Sequence, residues 1–388
     1  MQQTEYSVAI IGAGASGITA AINASQSTSS VIILERLLTA GKKILASGGG
    51  RCNILPVNFN AQAYNLEAIP LVKSIFAKFG YAEIEKFFKG LGLNFYTEGK
   101  RIFPVTNQAS SVLKLLELEL KRKNIKIEPG FCVQDINFSQ GAFVIKSAQG
   151  KSIRAKNVIL CAGGESYTAL GSDGSGFKLA KKLGHSIVEP VPAAVALVNK
   201  DKHFHFLQGQ KIDACVNLRS EGDLLFTKYG LSGTAILDIS REVSVALNRD
   251  KVKSVHLEID LVVHFLPKTL FDEFQRRKEI NWPKDEFLSG ILPNKFNLAF
   301  KEECGKLNSQ ELVDLLKKYP VEITGTRGWS EAEFTAGGVN CEEVKSGTLE
   351  SKLVPGLYFA GEILDVDGPR GGYNLAWAWA SGLVSGLL

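Results

Sequence analysis

Several things are scarce in this chain of 388 residues. Its six cysteines, Cys52, Cys132, Cys161, Cys215, Cys304 and Cys341, form no C-x-x-C pair and share no short spacing. A zinc site, a redox dithiol or a disulfide framework is therefore not expected, and isolated thiols fit a reducing, cytoplasmic setting. The five histidines (185, 203, 205, 256 and 264) show no metal-ligand spacing, so no metal is expected; His203 and His205 alternate as on a strand. No apolar run reaches the roughly 18 residues of a membrane span. The apolar tail 376–388 is short and interrupted by glycine, and reads as a buried helix. The chain enters an apolar strand at once, so no secretory leader is expected. Charge of one sign is scarce too. The net +5 is spread over small clusters such as Lys121-Arg-Lys123 and Arg276-Arg-Lys278. Solvated helix faces are preferred for these clusters over an RNA-facing surface, which the charge permits without indicating. Apolar content of 45% and charged content of 22% are ordinary for a globular protein, and the length allows two or three domains.

What is present starts at Tyr6. Tyr-Ser-Val-Ala-Ile-Ile11 has strand length and runs into Gly12-Ala-Gly14-Ala15-Ser16-Gly17, a G-x-G-x-x-G turn. An Ala/Ile-rich helix follows, then a second apolar strand, Val31–Leu34, that ends at Glu35. This is the βαβ unit of a dinucleotide site. Gly12 permits the tight turn, Gly14 lets the backbone approach a pyrophosphate, and Gly17 lets helix and strand pack closely. The helix N-terminus offers free N–H groups to the phosphates, and Glu35, followed by Arg36, can accept hydrogen bonds from ribose hydroxyls. Next come Gly41-Lys42-Lys43 and Ser47-Gly48-Gly49-Gly50-Arg51-Cys52-Asn53. Three successive glycines leave N–H groups open and tolerate φ > 0, as an anion nest does, and Lys42, Lys43 and Arg51 add positive charge.

Further on, Asn157–Gly164 reads as a buried strand ending in Ala162, Gly163 and Gly164. Lys126–Ile136 and Phe143–Ser147 read as strands, and Val133 is placed at the adenine through its backbone. The βα rhythm is lost after Glu189-Pro-Val-Pro192 and returns near 326. Residues 191–325 are therefore read as an insertion, with a β part over about 191–265 and a helical part over about 266–320; 1–190 and 326–388 form one discontinuous domain. Near the end, Gly356–Glu362 is a strand closing in Gly361 and Glu362. A polar loop with Asp365, Asp367 and Gly368–Gly372 follows, and a helix starts at Tyr373-Asn374. A second strand–acid–glycine–helix unit at the far end points to FAD, a ligand too long for one Rossmann unit. No second G-x-G-x-x-G offers a resident site to a pyridine nucleotide, so NAD(P)H is expected only as an external donor. The expected fold class is α/β, a Rossmann-like FAD domain of the two-dinucleotide-binding flavoprotein type, interrupted by a β-barrel-like plus helical insertion.

Those stretches also carry a resemblance. Together with Arg101-Ile-Phe-Pro-Val-Thr106, Gly163-Gly-Glu-Ser-Tyr167, Gly230-Leu-Ser-Gly233 and Gly337-Gly-Val339, they resemble the BaiN/RdsA-like flavoproteins nearly end to end. Thr168 and Thr234 depart from the proline usual in that family, which touches loop stiffness and not cofactor chemistry. The resemblance implies FAD contacts from Gly12, Gly14, Ala15, Ser16, Gly17, Glu35, Lys42, Ser47, Gly49, Gly50, Arg51, Cys52, Asn53, Val133, Ala162, Gly163, Gly361, Glu362, Gly372, Tyr373 and Asn374. It implies a flavin oxidoreductase whose substrate is open: a steroid ring, uridine in ribosomal RNA, or a small amine such as aminoacetone, while a non-catalytic FAD module is the remaining alternative. A small-molecule substrate is preferred to ribosomal RNA, and no membrane partner is expected.

The flavin carries the chemistry, so no side-chain nucleophile is required. The helix at Tyr373 is expected to point its N-terminus at the pyrimidine edge of the ring, with Arg51 as a cation along the pyrophosphate–ribityl side. Cys52 is read as a small residue packed beside the cofactor in preference to a reactive thiol. Tyr229–Gly233 and Phe334–Gly338 are candidate pocket walls.

Overall fold

The computed structural model describes residues 5–388. The chain forms two compact units, one of the residues up to Pro190 with Phe334–Leu388, the other Val191–Glu333.

The first unit is built on a seven-stranded sheet. Strand β1 (Glu5–Ile11) leads through helix α1 (Ala15–Ala24) to strand β2 (Val31–Glu35). β1 pairs in parallel with β2 on one side and with Arg154–Leu160 of the strand Ser152–Leu160 on the other. Both β1 and β2 are nearly continuous apolar runs because both faces are covered, as parallel strands require. Lys126–Pro129 extends the sheet beyond β2, and the antiparallel pair Val133–Ser139 and Ala142–Ser147 extends it past Ser152–Leu160. The expected strand 126–136 is thus two strands, parted at Gly130 and used in different places. From the far end of the chain, Leu357–Phe359 pairs in parallel with Val158–Leu160. Parallel neighbours finish on the same edge, so Gly361 and Glu362 emerge beside the Gly12–Gly17 turn.

The terminal helix, Tyr373–Ser385, packs on α1. Contact is close because small residues face each other: a Cβ on Gly386 would stand 2.6 Å from the Ala20 oxygen. Asn23 Nδ2 donates to the Leu383 carbonyl at 2.5 Å. Trp377 and Trp379 are fully buried. A small sheet of Leu55–Pro56, Arg101–Pro104 and Phe95–Glu98 completes this unit.

The second unit holds a closed six-stranded barrel, ordered Leu197–Asn199, Gly230–Ser232, Ser220–Thr227, Lys211–Val216, Val255–Asp260 and Tyr319–Thr326. The last strand lies outside the expected β part. The barrel is closed by residues that follow the helical part, and the unit runs to Glu333 where the sequence reading placed the boundary at 325. Helix Thr234–Ser244 also lies inside the expected β part. His203 and His205 sit on the short helix Lys202–Phe206, not on a strand, because Asp201 caps it by accepting from the His203 and Phe204 N–H groups. Phe300 parts two short helices, Lys295–Ala299 and Lys301–Lys306. Asn308 and Glu311 form a capping box at the start of Ser309–Lys317.

Candidate functional site

The C-terminal edge of the parallel sheet carries three glycine-rich turns. In the first, Gly12 has φ +104°, and a Cβ there would stand 2.5 Å from the Cys161 oxygen. A Cβ on Gly17 would overlap the Gly12 oxygen, whereas one on Gly14 would meet no atom within 4 Å. Helix α1 starts at Gly14 with no capping side chain and no acid in its first turn. Its free N–H groups therefore face open space, the arrangement that binds phosphate. Glu35 is buried; its carboxylate accepts from the Ala13 N–H at 2.7 Å and the Leu37 N–H at 2.8 Å. Both bonds fix the turn, and an ionised carboxylate has lone pairs left for ribose hydroxyls. Arg36 is ion-paired to Asp173. Val133 begins its strand opposite Ser147. Two residues before it, the Phe131 N–H donates to the Glu35 carbonyl at 2.8 Å, so the chain does pass this end of the site.

The second turn follows the short helix Lys42–Ala46. Gly48, Gly49 and Gly50 all have positive φ, and a Cβ on Gly49 would meet nothing within 4 Å. Ser47 Oγ donates to the Ile44 carbonyl at 2.6 Å. Cys52 also has positive φ (58°) and is fully buried. Burial pushes its thiol up to about 12, against a weaker opposing hydrogen bond with Ser47, which holds the thiol protonated. Arg51 is turned another way than expected. Its guanidinium bonds Glu98 at 2.7 and 3.0 Å and Tyr96 Oη at 2.7 Å, and lies 4.0 Å over the Phe103 ring. A charge matched to a carboxylate in this way does not face the pyrophosphate as a free cation.

The third turn runs from Gly361 to Asn374. Lys43 Nζ lies 2.6 Å from Glu362 Oε2 and 2.9 Å from Ser166 Oγ. The Thr335 N–H donates to Glu362 Oε1 at 2.8 Å, and Ser166 Oγ donates to it at 3.1 Å. Burial opposes ionisation of Glu362, but the Lys43 ammonium and these hydrogen bonds hold its carboxyl below the usual range. This cluster leaves no room for a side chain at Gly164, where a Cβ would sit 2.7 Å from Thr335 Cβ, whereas a Cβ on Gly163 (φ +73°) would stand 2.6 Å from Ser172 Oγ. Ala162 lies against Gly12, and Gly361 against Ser16. Asp367 is buried, its N–H donating to Asn65 Oδ1 at 3.0 Å. The Asn374 amide exchanges two 2.9 Å hydrogen bonds with the Gly368 backbone, so this side chain fastens the loop. Tyr373 Oη donates to the Asn58 carbonyl at 3.1 Å. Gly372 starts the terminal helix at φ +103° with no capping side chain and no acid in its first turn. A Cβ there would stand 2.9 Å from Asn53 Oδ1.

That oxygen decides the fit to a ligand. Among the described residues Asn53 Oδ1 is buried with no hydrogen-bond partner, a state that costs about 1–3 kcal/mol unless a ligand or water fills it. It lies beside one uncapped helix start, and a second uncapped start stands at Gly14 on the same sheet edge. A long dinucleotide, anionic in its middle and polar at its ring end, matches these residues. Sequence reasoning found the glycines but missed Thr335 as a ligand of Glu362. It also took Lys43 and Glu362 as separate cofactor contacts, where the structure joins them. Thr335 lies in the Phe334–Gly338 stretch, whose small residues were the available signal.

Comparison with known proteins agrees with this geometry. The family model described as HI0933-like protein Rossmann domain matches residues 6–388. The 3-dehydro-bile acid delta(4,6)-reductase of Clostridium scindens is 39% identical over 98% of this chain and 98% of its own. The ribosomal RNA dihydrouridine synthase of Escherichia coli is 29% identical over 97% of this chain and 96% of its own. Among solved structures, the 3-ketosteroid delta1-dehydrogenase of Sterolibacterium denitrificans superposes with a TM-score of 0.55 at 11% identity, covering 98% of each chain. A flavocytochrome c3 fumarate reductase superposes at 0.53 and 15% identity, over 98% of this chain and 77% of its own; both likenesses are of fold. The chain belongs to the HI0933-like, BaiN/RdsA-like flavoprotein family, and it is an FAD-dependent oxidoreductase.

Proposed function

We propose that this chain reduces a carbon–carbon double bond conjugated to a carbonyl in a small organic acceptor, with NAD(P)H as external electron donor. Support for the reaction comes from the two relatives, whose names both describe adding hydrogen to an unsaturated ring. The single observation that carries the cofactor assignment is the unpartnered Asn53 Oδ1 beside Gly372.

FAD, when bound, supplies hydride transfer at its N5. The residues of the chain bind and polarise. The α1 N-terminus and Gly14 would hold the pyrophosphate and Glu35 the ribose, and the Lys43–Glu362 pair fixes the Gly361 turn. The free N–H groups at residues 372–374 stabilise negative charge at the pyrimidine edge, because fixed dipoles in a water-poor site need no reorganisation. Cys52 stays a neutral, packed thiol. Ribosomal RNA is the second reading, supported by the relative of that name; phosphate contacts would make its binding fall steeply with salt.

The test is anaerobic. The flavin of the purified holoenzyme is reduced with NADPH or light, and an enone, unmodified ribosomal RNA or oxygen is then added. Fast reoxidation by the enone supports the proposal. Reoxidation by RNA alone replaces it with the second reading, and reoxidation by oxygen alone replaces it with an oxidase.

A further inference from the structure

The stretch Arg101–Thr106 takes no part in holding the cofactor in the reading above. Its first four residues form one strand of a hairpin with Phe95–Glu98, in which Tyr96 opposes Phe103 and Glu98 opposes Arg101. Directly opposed residues on an antiparallel ladder share a face, so these four side chains belong to one surface. Arg51 lies on it too, matched to Glu98 and stacked on Phe103.

Arg101 differs from Arg51. It is exposed and makes no direct side-chain hydrogen bond to a described residue; its charge acts on Glu98, its opposite number on the ladder, only through space. Its Nε lies 3.8 Å from where a Cβ on Gly371 would stand. Gly371 has φ +112° and directly precedes Gly372, the start of the terminal helix. The adjoining buried Asn53 Oδ1, without a partner, marks this turn as one that faces a ligand. A guanidinium that no carboxylate holds in a direct bond therefore stands one residue outside the turn assigned to the ring end of the cofactor. Its neighbour there has no side chain to block approach.

We propose that Arg101 anchors an anionic group, a carboxylate or phosphate, on the molecule that meets the flavin ring. The planar fork of arginine suits either anion in a bidentate fashion, and Arg51 cannot substitute because Glu98 already occupies it. The anion can belong to the acceptor or to the nicotinamide donor; the recognition chemistry is the same. This inference rests on the reading that residues 372–374 face the isoalloxazine.

Arg101→Gln and Arg101→Lys holoenzymes test it. Benzoate and its neutral counterpart benzamide are titrated against the flavin absorbance band, and the rate of flavin reduction is followed against NADPH concentration. With Arg101→Gln the flavin content stays at the wild-type level. Either benzoate affinity or the half-saturating NADPH concentration worsens roughly 10- to 100-fold, the range of one charge-assisted hydrogen bond. Benzamide binding and the limiting reduction rate are unchanged, and Arg101→Lys recovers part of the loss. Loss in the benzoate arm assigns the anion to the acceptor; loss in the NADPH arm assigns it to the donor. The proposal is overturned if the glutamine variant handles both anions like wild type, if benzoate and benzamide weaken equally, or if wild type responds to neither anion. Asn53→Ala tests the underlying reading separately: full flavin affinity in that variant would remove it, whatever Arg101 does.

Discussion

Two helices of the first unit begin in the same way and for different reasons. Both α1 and the terminal helix start at a glycine, with no capping side chain and no acid in the first turn. Gly14 has φ −87°, which any residue adopts, and open space around it. Nothing among the described residues crowds a side chain there, and the proposed reading assigns the glycine to a ligand's approach. Gly372 has φ +103°, and a Cβ on it would stand 2.7 Å from the Leu55 carbonyl carbon. The fold itself requires glycine there. One residue type thus leaves open space in one turn and meets a packing constraint in the other, and only the surroundings separate them.

The contrast can be broken most forcefully at Gly17, the packing glycine of the first turn. Gly17→Ala drives a methyl into the Gly12 oxygen. It should cost at least about 3 kcal/mol, the upper end of overpacking costs, and thermal denaturation of the flavin-free protein would show it. A melting point equal to wild type would mean the turn is looser than described. Glu362→Ala leaves the Lys43 ammonium without its carboxylate. The loss should be about 1–3 kcal/mol, less than for a fully buried pair, because the two side chains keep 22% and 27% of their exposure; chemical denaturation measures it.

Gly14→Ala sharpens the comparison from the other side. Flavin affinity should fall about tenfold or more, about 1.4 kcal/mol, while the flavin-free protein melts within about 0.5 kcal/mol of wild type. Equal losses in both would assign Gly14 to packing after all.

The pH dependence tests a third region. His185 is buried, with Nδ1 2.9 Å from Glu343 and Nε2 2.8 Å from Ser351 Oγ. Burial lowers its pKa from 6.5, more than the nearby Glu343 raises it. The unfolded chain then takes up a proton first as pH falls. Stability is held above pH 6.5 and lost below it, by up to about 1.4 kcal/mol per pH unit. His185→Gln should flatten that slope in denaturation measured between pH 7 and 5. The smallest effect belongs to Cys52→Ser, which should leave turnover within about twofold, because a thiol held protonated by burial has no charge to contribute. Vanished turnover with flavin still bound would give the thiol a chemical role.

These contrasts also mark what the sequence could reveal. The Gly12–Gly17 turn, Glu35 and the Gly361–Glu362 corner were legible because their demands are local: a strand, a turn geometry and a helix start within a few residues. Arg51 was not, because its partner Glu98 arrives on a hairpin whose register depends on tertiary pairing. The barrel strand Tyr319–Thr326 was hidden by Pro320, which sits at the strand's start, where a missing N–H is tolerated. The alternating burial of Tyr319, Val321 and Ile323 was the overlooked signal.

The central claim is that both ends of the chain hold one flavin, and a crystal structure of the FAD-bound protein tests it most directly. The account predicts pyrophosphate oxygens on the α1 N-terminus and a pyrimidine edge within about 3.2 Å of an N–H of residues 372–374. Flavin density whose ring lies away from the terminal helix, with Asn53 Oδ1 still unpartnered, would contradict it.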